Sequence, residues 1–256
     1  MSSFKNFAIA GLGTVGSYIA RELLKLKTEG KVDNVTILTR SVSYLAQPLH
    51  NAFAHLSLQD SSDLDEYKAS GAKIAVVDYE SVESLKNAVT GADVVISTVT
   101  YRALQVQHLL AEQAKAAGVK LFVPSEFGDD TSRPNPEGIF VVKQSVHHKC
   151  KELDLPYALF FTGPGPDYVF VPWVPQLATL ALLTNRRDSS FGLDLKSGNV
   201  TVGLDGNALN SFTVQSDIGR YVAYVLTNLP RLKLEWRIFR IEGDRKVRNR
   251  PWKLFQ

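Results

Sequence analysis

The fold of this 256-residue chain is decided by Gly11-Leu12-Gly13-Thr14-Val15-Gly16. The stretch follows the apolar run Phe7–Ala10 directly and opens a segment with apolar residues at helical spacing. Glycines at this spacing between a strand and a helix are typical of a dinucleotide-binding unit, in which they allow a tight turn, close backbone approach to a pyrophosphate and close helix packing. The alternative is a glycine-rich turn in an ordinary α/β protein. Under the first interpretation, the residues expected to bind the pyrophosphate are Gly11, Gly13, Thr14, Val15 and Gly16.

Short apolar runs alternate with helical segments through the first 162 residues. Helices are predicted at Val15–Leu26, Val82–Val89, Leu104–Ala117 and Ile139–Leu153. Strands are predicted at Phe4–Ala10, Val35–Leu38, Lys73–Val77, Asp93–Thr98, Lys120–Val123 and Tyr157–Phe161. Six apolar strands separated by helices indicate an α/β protein with a Rossmann-type, doubly wound parallel sheet.

The pattern changes after Thr162. Residues 163–175 are rich in glycine, proline and aromatic residues, as in a loop that lines a site. The sequence then predicts a helix at Val174–Leu183, weak strands near 189–214, a helix at Asp217–Leu229 and a strand at Arg237–Ile241. We therefore expect an NAD(P)-binding Rossmann domain at 1–162, a smaller C-terminal substrate or cap region at 163–243, and a basic tail at 244–256.

Composition excludes several classes of protein. The only cysteine is Cys150, so no intrachain disulfide can form, which fits a reducing compartment. The N-terminus lacks the features of a signal peptide, and no stretch reaches the roughly 18 apolar residues that a membrane span needs. The tail sums to +4, more than the net charge of +3 of the whole chain, and the nearly neutral remainder has no footprint for nucleic acid. We expect a cytoplasmic protein whose tail either contacts an acidic surface or is solvated.

The end of the second strand distinguishes between the two nicotinamide cofactors. It ends in Leu38-Thr39-Arg40-Ser41 and lacks the acid that binds the ribose hydroxyl in NAD-specific folds. The guanidinium of Arg40 is suited to a 2′-phosphate, which favours NADP(H). The alternative is that Arg40 is a solvated charge. Asp78 and Thr98, after the third and fourth strands, fall where the adenosine should lie, although Asp78 could instead cap the helix that begins near Ser81.

The usual catalytic templates are absent. No tyrosine has a lysine four residues later, and there is no zinc or nucleophile-elbow motif. His147 and His148 are adjacent, so they diverge on a helix and make a poor metal pair; we expect no metal site. What remains is Pro124-Ser125-Glu126-Phe127-Gly128 at the end of strand five and Lys143 on the next helix. Both should face the nicotinamide, because ligands bind beyond the carboxyl ends of the strands.

These motifs give the chain a resemblance to a known family. Pro124–Gly128, Phe140–Lys143, Val94–Ser97 and Asp217–Gly219 are similar to segments of the isoflavone reductase-like branch of the NmrA-like family, which are atypical short-chain dehydrogenases. The resemblance implies that Lys143 is the general acid/base, that Gly13 and Gly16 hold the pyrophosphate and that Arg40 recognises the 2′-phosphate. Hydride would leave the nicotinamide near Ser125, and candidate substrate contacts are Glu126, Phe127 and Tyr168.

Three features depart from the family pattern. Ala10 stands where the family has its first glycine, and Gly11 substitutes one position later. The loop Thr162–Tyr168 differs from that of the plant reductases, and the chain ends soon after Gly243. The leading hypothesis is an NADPH-dependent reductase of a small aromatic or apolar substrate. The alternatives are an NADP-binding regulator that acts on a partner protein, and a truncated product without a working pocket.

Overall fold

The computed structural model describes residues 4–40, 61–165, 193–194, 199–200 and 209–247. Among these residues the α-helices are α1 (Thr14–Thr28), α2 (Ser61–Ala69), α3 (Val82–Val89), α4 (Val106–Ala116), α5 (Ile139–Glu152) and α6 (Gln215–Asn228). The strands are β1 (Asn6–Ala10), β2 (Asn34–Thr39), β3 (Lys73–Val76), β4 (Val94–Ser97), β5 (Leu121–Val123), β6 (Ala158–Phe161), β7 (Leu193–Asp194), β8 (Asn199–Val200), β9 (Leu209–Phe212), β10 (Arg237–Arg240) and β11 (Asp244–Val247).

The central sheet is parallel and has the strand order β3-β2-β1-β4-β5. The chain reverses its direction of travel across the sheet between β1 and β4, which is where ligands bind in open α/β sheets. β6 continues the sheet through a parallel bridge between Phe122 and Tyr157, and β10 pairs with β6 in parallel. The predicted Rossmann-type parallel sheet is confirmed.

Both faces of the sheet are covered, which explains why its strands are rich in apolar residues. Phe7 and Ile9 of β1 pack with α1 and α6 on one face. Ala8 and Ala10 of the same strand pack on the other face with buried residues of α3, α4 and α5. The sheet is therefore doubly wound, and the carboxyl ends of its strands form one shared edge.

Local residues explain where the helices begin and end. Ser81 caps α3 by accepting a hydrogen bond from the N–H of Ser84 at 3.2 Å. The chain leaves α4 through Gly118, whose φ of +78° favours glycine, as the sequence predicted. Helix α2 was not predicted, because its apolar periodicity is weak. Among the side chains of this helix that the structure describes, from residue 64 onward, Leu64 and Tyr67 pack against the core.

Part of the predicted substrate region belongs to the Rossmann unit. Helix α6 packs so closely on α1 that a Cβ at Gly219 would lie 2.7 Å from that of Tyr18. β10 extends the sheet next to β6. The division at 162 and 243 stays a prediction for the rest of the region. The predicted helix Val174–Leu183 lies outside the described residues.

The predicted tail begins with a strand. β11 pairs antiparallel with β9, and Asp244 lies opposite Phe212. The backbone groups of residues 244–247 are thus used in strand pairing. The basic tail at 244–256 otherwise stays a prediction, because residues 248–256 lie outside the described part. None of the helices in the described ranges is long and apolar enough to cross a membrane.

Candidate functional site

The three glycines of the loop after β1 differ in what surrounds them. Gly11 has a φ of +100°, a conformation that side chains disfavour. A Cβ at Gly16 would lie 2.3 Å from the carbonyl oxygen of Gly11 and 2.4 Å from Oγ1 of Thr98. At Gly13, by contrast, a Cβ would meet no atom of the described residues within 4 Å. Gly11 and Gly16 thus shape the loop, whereas Gly13 faces open space into which a ligand could come close to the backbone.

Thr98 braces the loop from the end of β4. Its Oγ1 donates a hydrogen bond to the carbonyl oxygen of Gly11 at 2.6 Å, and its N–H donates to that of Ala10 at 2.9 Å. The residue is 9 % exposed. The sequence placed Thr98 against the adenosine of the cofactor. In the structure its hydroxyl is hydrogen-bonded to the loop, so Thr98 stabilises the loop that forms the predicted phosphate site.

The N-terminus of α1 is suited to an anion. Gly13 is the N-cap and provides no side chain, and the first turn holds no acidic residue. The first intrahelical bond runs from the N–H of Ser17 to the carbonyl oxygen of Gly13 at 3.0 Å. The N–H groups of Val15 and Gly16 therefore have no acceptor within the helix, and the helix dipole adds positive potential there. Thr14 is exposed at the first helical position.

Arg40 is exposed and directly follows β2. Tyr79, after the neighbouring strand β3, lies near enough for the two groups to interact: burial raises the pKa of its hydroxyl, and the charge of Arg40 partly offsets this. An aromatic residue and an arginine thus both follow strands at the edge of the sheet where the sequence predicted the adenosine end of the cofactor. The sequence analysis missed Tyr79, although its place after β3 was a signal. Ser41 lies outside the described residues.

Asp78 does not cap α3, because Ser81 has that place. The Asp78 carboxylate accepts the N–H of Glu80 at 2.9 Å, and its own N–H donates to Oγ of Ser84 at 3.0 Å. Asp78 therefore orders the turn that precedes the helix. The residue is exposed at the carboxyl edge of the sheet.

Ser125 ties the loop after β5 to the segment after β4. Its Oγ donates to the carbonyl oxygen of Val99 at 2.9 Å, and its N–H donates to Oε1 of Gln107 at 2.8 Å. Gln107 is buried. Because β4 and β5 are neighbours, these hydrogen bonds hold the loop that contains Ser125 close to Thr98. The predicted nicotinamide and phosphate sites therefore share one edge of the sheet.

The predicted substrate contact Glu126 points into the protein instead. The residue is 3 % exposed. Its Oε1 lies 2.6 Å from Nε2 of His147, and its Oε2 accepts the hydroxyl of Thr131 at 3.0 Å. Both oxygens of the carboxylate thus contact interior groups, and the substrate contact by Glu126 stays a prediction.

The predicted substrate contact Phe127 also faces the interior. Its backbone has a φ of +31°, which is uncommon for a residue with a side chain. Its ring is stacked on that of Phe160, with centroids 6.3 Å apart, and it packs against the core cluster that covers one face of the sheet. The ring therefore anchors the loop. The third predicted contact, Tyr168, lies outside the described residues.

Lys143 is a buried lysine rather than a surface one. It lies in the second turn of α5, and its side chain is 11 % exposed. Nζ donates to the carbonyl oxygen of Glu126 at 2.7 Å and lies 3.5 Å from Oε2 of the same residue. Burial lowers the pKa of Lys143, and the negative charges of Glu126 and Asp129 partly offset that effect. A lysine with a lowered pKa at the carboxyl edge of the sheet is suited to proton transfer.

His147 was set aside by the sequence analysis as half of a poor metal pair. The structure agrees that the two histidines diverge, because His147 is 6 % exposed and His148 is exposed. Within the described ranges, no three His, Cys, Asp or Glu side chains are grouped so as to hold a metal. His147 instead contacts Glu126 one helical turn after Lys143. That four-residue spacing was the signal that the sequence offered.

Comparisons with known proteins find a family match over most of the chain. The model of the NmrA-like family matches residues 7–242. Phenylcoumaran benzylic ether reductase 1 of Arabidopsis thaliana is 28 % identical over 225 residues, which are 86 % of this chain and 63 % of that protein. The chain spans about three fifths of the length of the curated relatives it matches.

Two solved structures share the fold. A crystal structure of isoflavone reductase has a TM-score of 0.68 at 21 % identity and covers 94 % of this chain and 70 % of its own. Triphenylmethane reductase of Citrobacter sp., complexed with NADP(H), has a TM-score of 0.63 at 13 % identity over 95 % of this chain and 72 % of its own.

Proposed function

Because the chain belongs to the NmrA-like family, we propose that it is an NADP(H)-dependent reductase of a small aromatic or apolar molecule. The observation that carries the proposal is Lys143, a buried lysine with a lowered pKa on the edge of the sheet that also holds the glycine loop. A reductase needs a hydride donor and a proton donor next to each other. The relatives at 26–28 % identity include plant reductases, which supports this class of reaction.

The residues around the loop fit a dinucleotide. The open space over Gly13 would admit the pyrophosphate, and the N–H groups of Val15 and Gly16 would bind it. Arg40 would pair with the 2′-phosphate, and the ring of Tyr79 would lie beside the adenosine. When bound, the nicotinamide supplies the hydride. The complex of the Citrobacter reductase with NADP(H) supports the choice of cofactor.

Lys143 would hold the proton that the reduced substrate takes up. Its Nζ is kept in place by the carbonyl oxygen of Glu126, and the low exposure of the side chain, 11 %, limits contact with water. Burial disfavours the ammonium form, so Lys143 gives up its proton more readily than a surface lysine. Ser125 would hold the loop in register with the cofactor rather than take part in proton transfer.

NADPH oxidation with a panel of aromatic carbonyls and benzylic ethers tests the proposal. We expect turnover with at least one of them and a fall of about 10²–10⁴-fold in Lys143→Ala, the usual size of a general acid/base contribution. Lys149→Ala is the matched control, since Lys149 lies on the same helix and pairs with Glu112. Unchanged turnover in Lys143→Ala removes the lysine from the mechanism. Tight NADPH binding without turnover across the panel favours a regulator that acts on a partner protein.

A further inference from the structure

Lys143 belongs to a buried group of side chains that we call the Glu126 cluster: Glu126, Thr131, Lys143 and His147. Glu126 and Thr131 come from the segment after β5, whereas Lys143 and His147 are one turn apart on α5. The Glu126 side chain is completely buried, and those of Lys143 and His147 are 11 % and 7 % exposed. The carboxylate lies between the two basic side chains, so it joins the helix to the loop.

The contacts of Lys143 with Glu126 are of two kinds. The backbone carbonyl oxygen accepts the hydrogen bond at 2.7 Å, while the carboxylate lies 3.5 Å away and contributes mainly charge. A substitution of the side chain therefore removes the charge and leaves the hydrogen bond. This separation allows the position of Lys143 and its proton affinity to be tested independently.

We propose that Glu126 is a positioning residue that controls how firmly Lys143 holds its proton, and that His147 and Thr131 keep the carboxylate in the required orientation. The proposal rests on the proposed function only for its consequence in catalysis. A buried carboxylate is costly unless it is paired and hydrogen-bonded. His147 binds Oε1 at 2.6 Å and Thr131 binds Oε2 at 3.0 Å, so the carboxylate is satisfied without moving closer to Lys143.

A second negative charge among the described residues also acts on Lys143. Asp129, on the same loop as Glu126, acts on Lys143 in the same direction. The ring of His147 packs against that of Tyr157, with centroids 5.7 Å apart. Helix α4 contributes His108, whose Nε2 lies 2.9 Å from Oγ of Ser145 on α5. Glu126 is the group that the structure brings nearest to Nζ of Lys143, so its charge should dominate.

The reactivity of the Lys143 amine measures its proton affinity without any substrate. The full-length chain is labelled at a series of pH values with a trace of acetic anhydride, and the modified lysine is quantified by mass spectrometry. We expect Glu126→Gln to raise labelling of Lys143 at pH 7.5 by about tenfold or more, because an opposite charge at this range changes proton affinity by roughly one to three powers of ten. The plateau at high pH should stay the same, since the backbone hydrogen bond remains.

The contribution of His147 is tested with a pair of variants. His147→Leu removes the donor to Oε1 and should move the Lys143 profile towards that of Glu126→Gln. His147→Gln retains a donor and should restore the wild-type profile. His148→Leu is the matched control, because His148 is exposed on the adjacent position of the helix. If His147→Leu and His147→Gln both have the wild-type profile, the proposed role of His147 is overturned.

Two further outcomes separate this proposal from the proposed function. A wild-type labelling profile in Glu126→Gln overturns the role of Glu126, whether or not the protein reduces any substrate. Absence of turnover in the wild type contradicts the proposed function and leaves the labelling result valid. If Glu126→Gln does not fold, Thr131→Val replaces it: loss of one donor to Oε2 should raise labelling of Lys143, and an unchanged profile overturns the proposal.

Discussion

The loop after β1 offers a matched pair of substitutions, because Gly13 and Gly16 differ in the space around them. In Gly16→Ala the new methyl group would lie 2.3 Å from a backbone oxygen, so helix or loop must move by about 1 Å to reach ordinary contact. Overpacking of this kind costs about 1–3 kcal/mol. The higher helix propensity of alanine offsets about 0.5–1 kcal/mol of that cost. We expect a less stable protein that also binds NADPH weakly.

Gly13→Ala should have the opposite combination of effects. The residue has a φ of −67° and a ψ of −165°, in the extended region that alanine also adopts. Alanine should therefore leave stability unchanged or raise it by about 0.4–1 kcal/mol, because the unfolded chain loses conformational freedom. The methyl group would occupy the space assigned to the pyrophosphate. We expect NADPH affinity to fall at least tenfold, a loss of about 1.4 kcal/mol.

Chemical denaturation and fluorescence titration with NADPH measure the two quantities. The ordering of the two stabilities is the decisive result: Gly16→Ala is the less stable variant, whereas Gly13→Ala keeps its stability and has at least tenfold weaker NADPH binding. If Gly13→Ala binds NADPH as the wild type does, the pyrophosphate does not pass over Gly13. If Gly16→Ala is as stable as the wild type, the close contact with Gly11 and Thr98 is incorrect.

Three more predictions test other parts of the molecule. Arg40→Ala should weaken NADPH binding at least tenfold and leave NADH binding nearly unchanged in titrations of both cofactors, since only NADPH carries the 2′-phosphate; equal weakening contradicts the role of Arg40. Asp93→Asn should destabilise the protein by about 1–3 kcal/mol at neutral pH in chemical denaturation. Burial acts to raise the pKa of Asp93, but hydrogen bonds from Lys120 and from the backbone of Lys5 hold it below its usual value. The stability difference between wild type and variant should therefore be complete above the pKa of Asp93 in the unfolded chain and should disappear as the pH falls through its lower pKa in the folded protein. A stability difference that persists in acid refutes the assignment. Gly163→Ala should lower the denaturation midpoint, because Gly163 has a φ of +66° and a Cβ there would lie 2.2 Å from the carbonyl oxygen of Ser211; a wild-type midpoint contradicts that packing.

The sequence predicted the elements whose signals are local. The strands around the glycine loop were predicted within one or two residues, because each is a short apolar run. Helix α2 has no comparable signal, since it contributes little apolar surface. The pairing of β6 with β10 joins residues that are far apart in the chain, and no local sequence pattern predicts such a contact.

The sequence named candidate residues for the site but did not predict the direction in which their side chains point. Glu126 and Phe127 lie three and four residues after the end of β5, where the alternation of a strand no longer determines which way a side chain points. The positive φ of Phe127 turns the chain and sends its ring into the core, while the Glu126 carboxylate meets His147 and Lys143. Those directions depend on turn angles and on a helix that follows later in the chain, so sequence spacing alone did not reveal them.

The bond from Thr98 to Gly11 affects how this loop could be engineered. A six-residue glycine segment transplanted from another dinucleotide-binding protein would keep its own turn but would lack the residue that hydrogen-bonds to that turn in its parent protein. The end of the strand that receives the segment would have to change as well. The hydroxyl of Thr98 occupies the space that a side chain at position 16 would need. Positions 11, 16 and 98 therefore constrain one another, and we expect correlated substitutions at these positions in homologues.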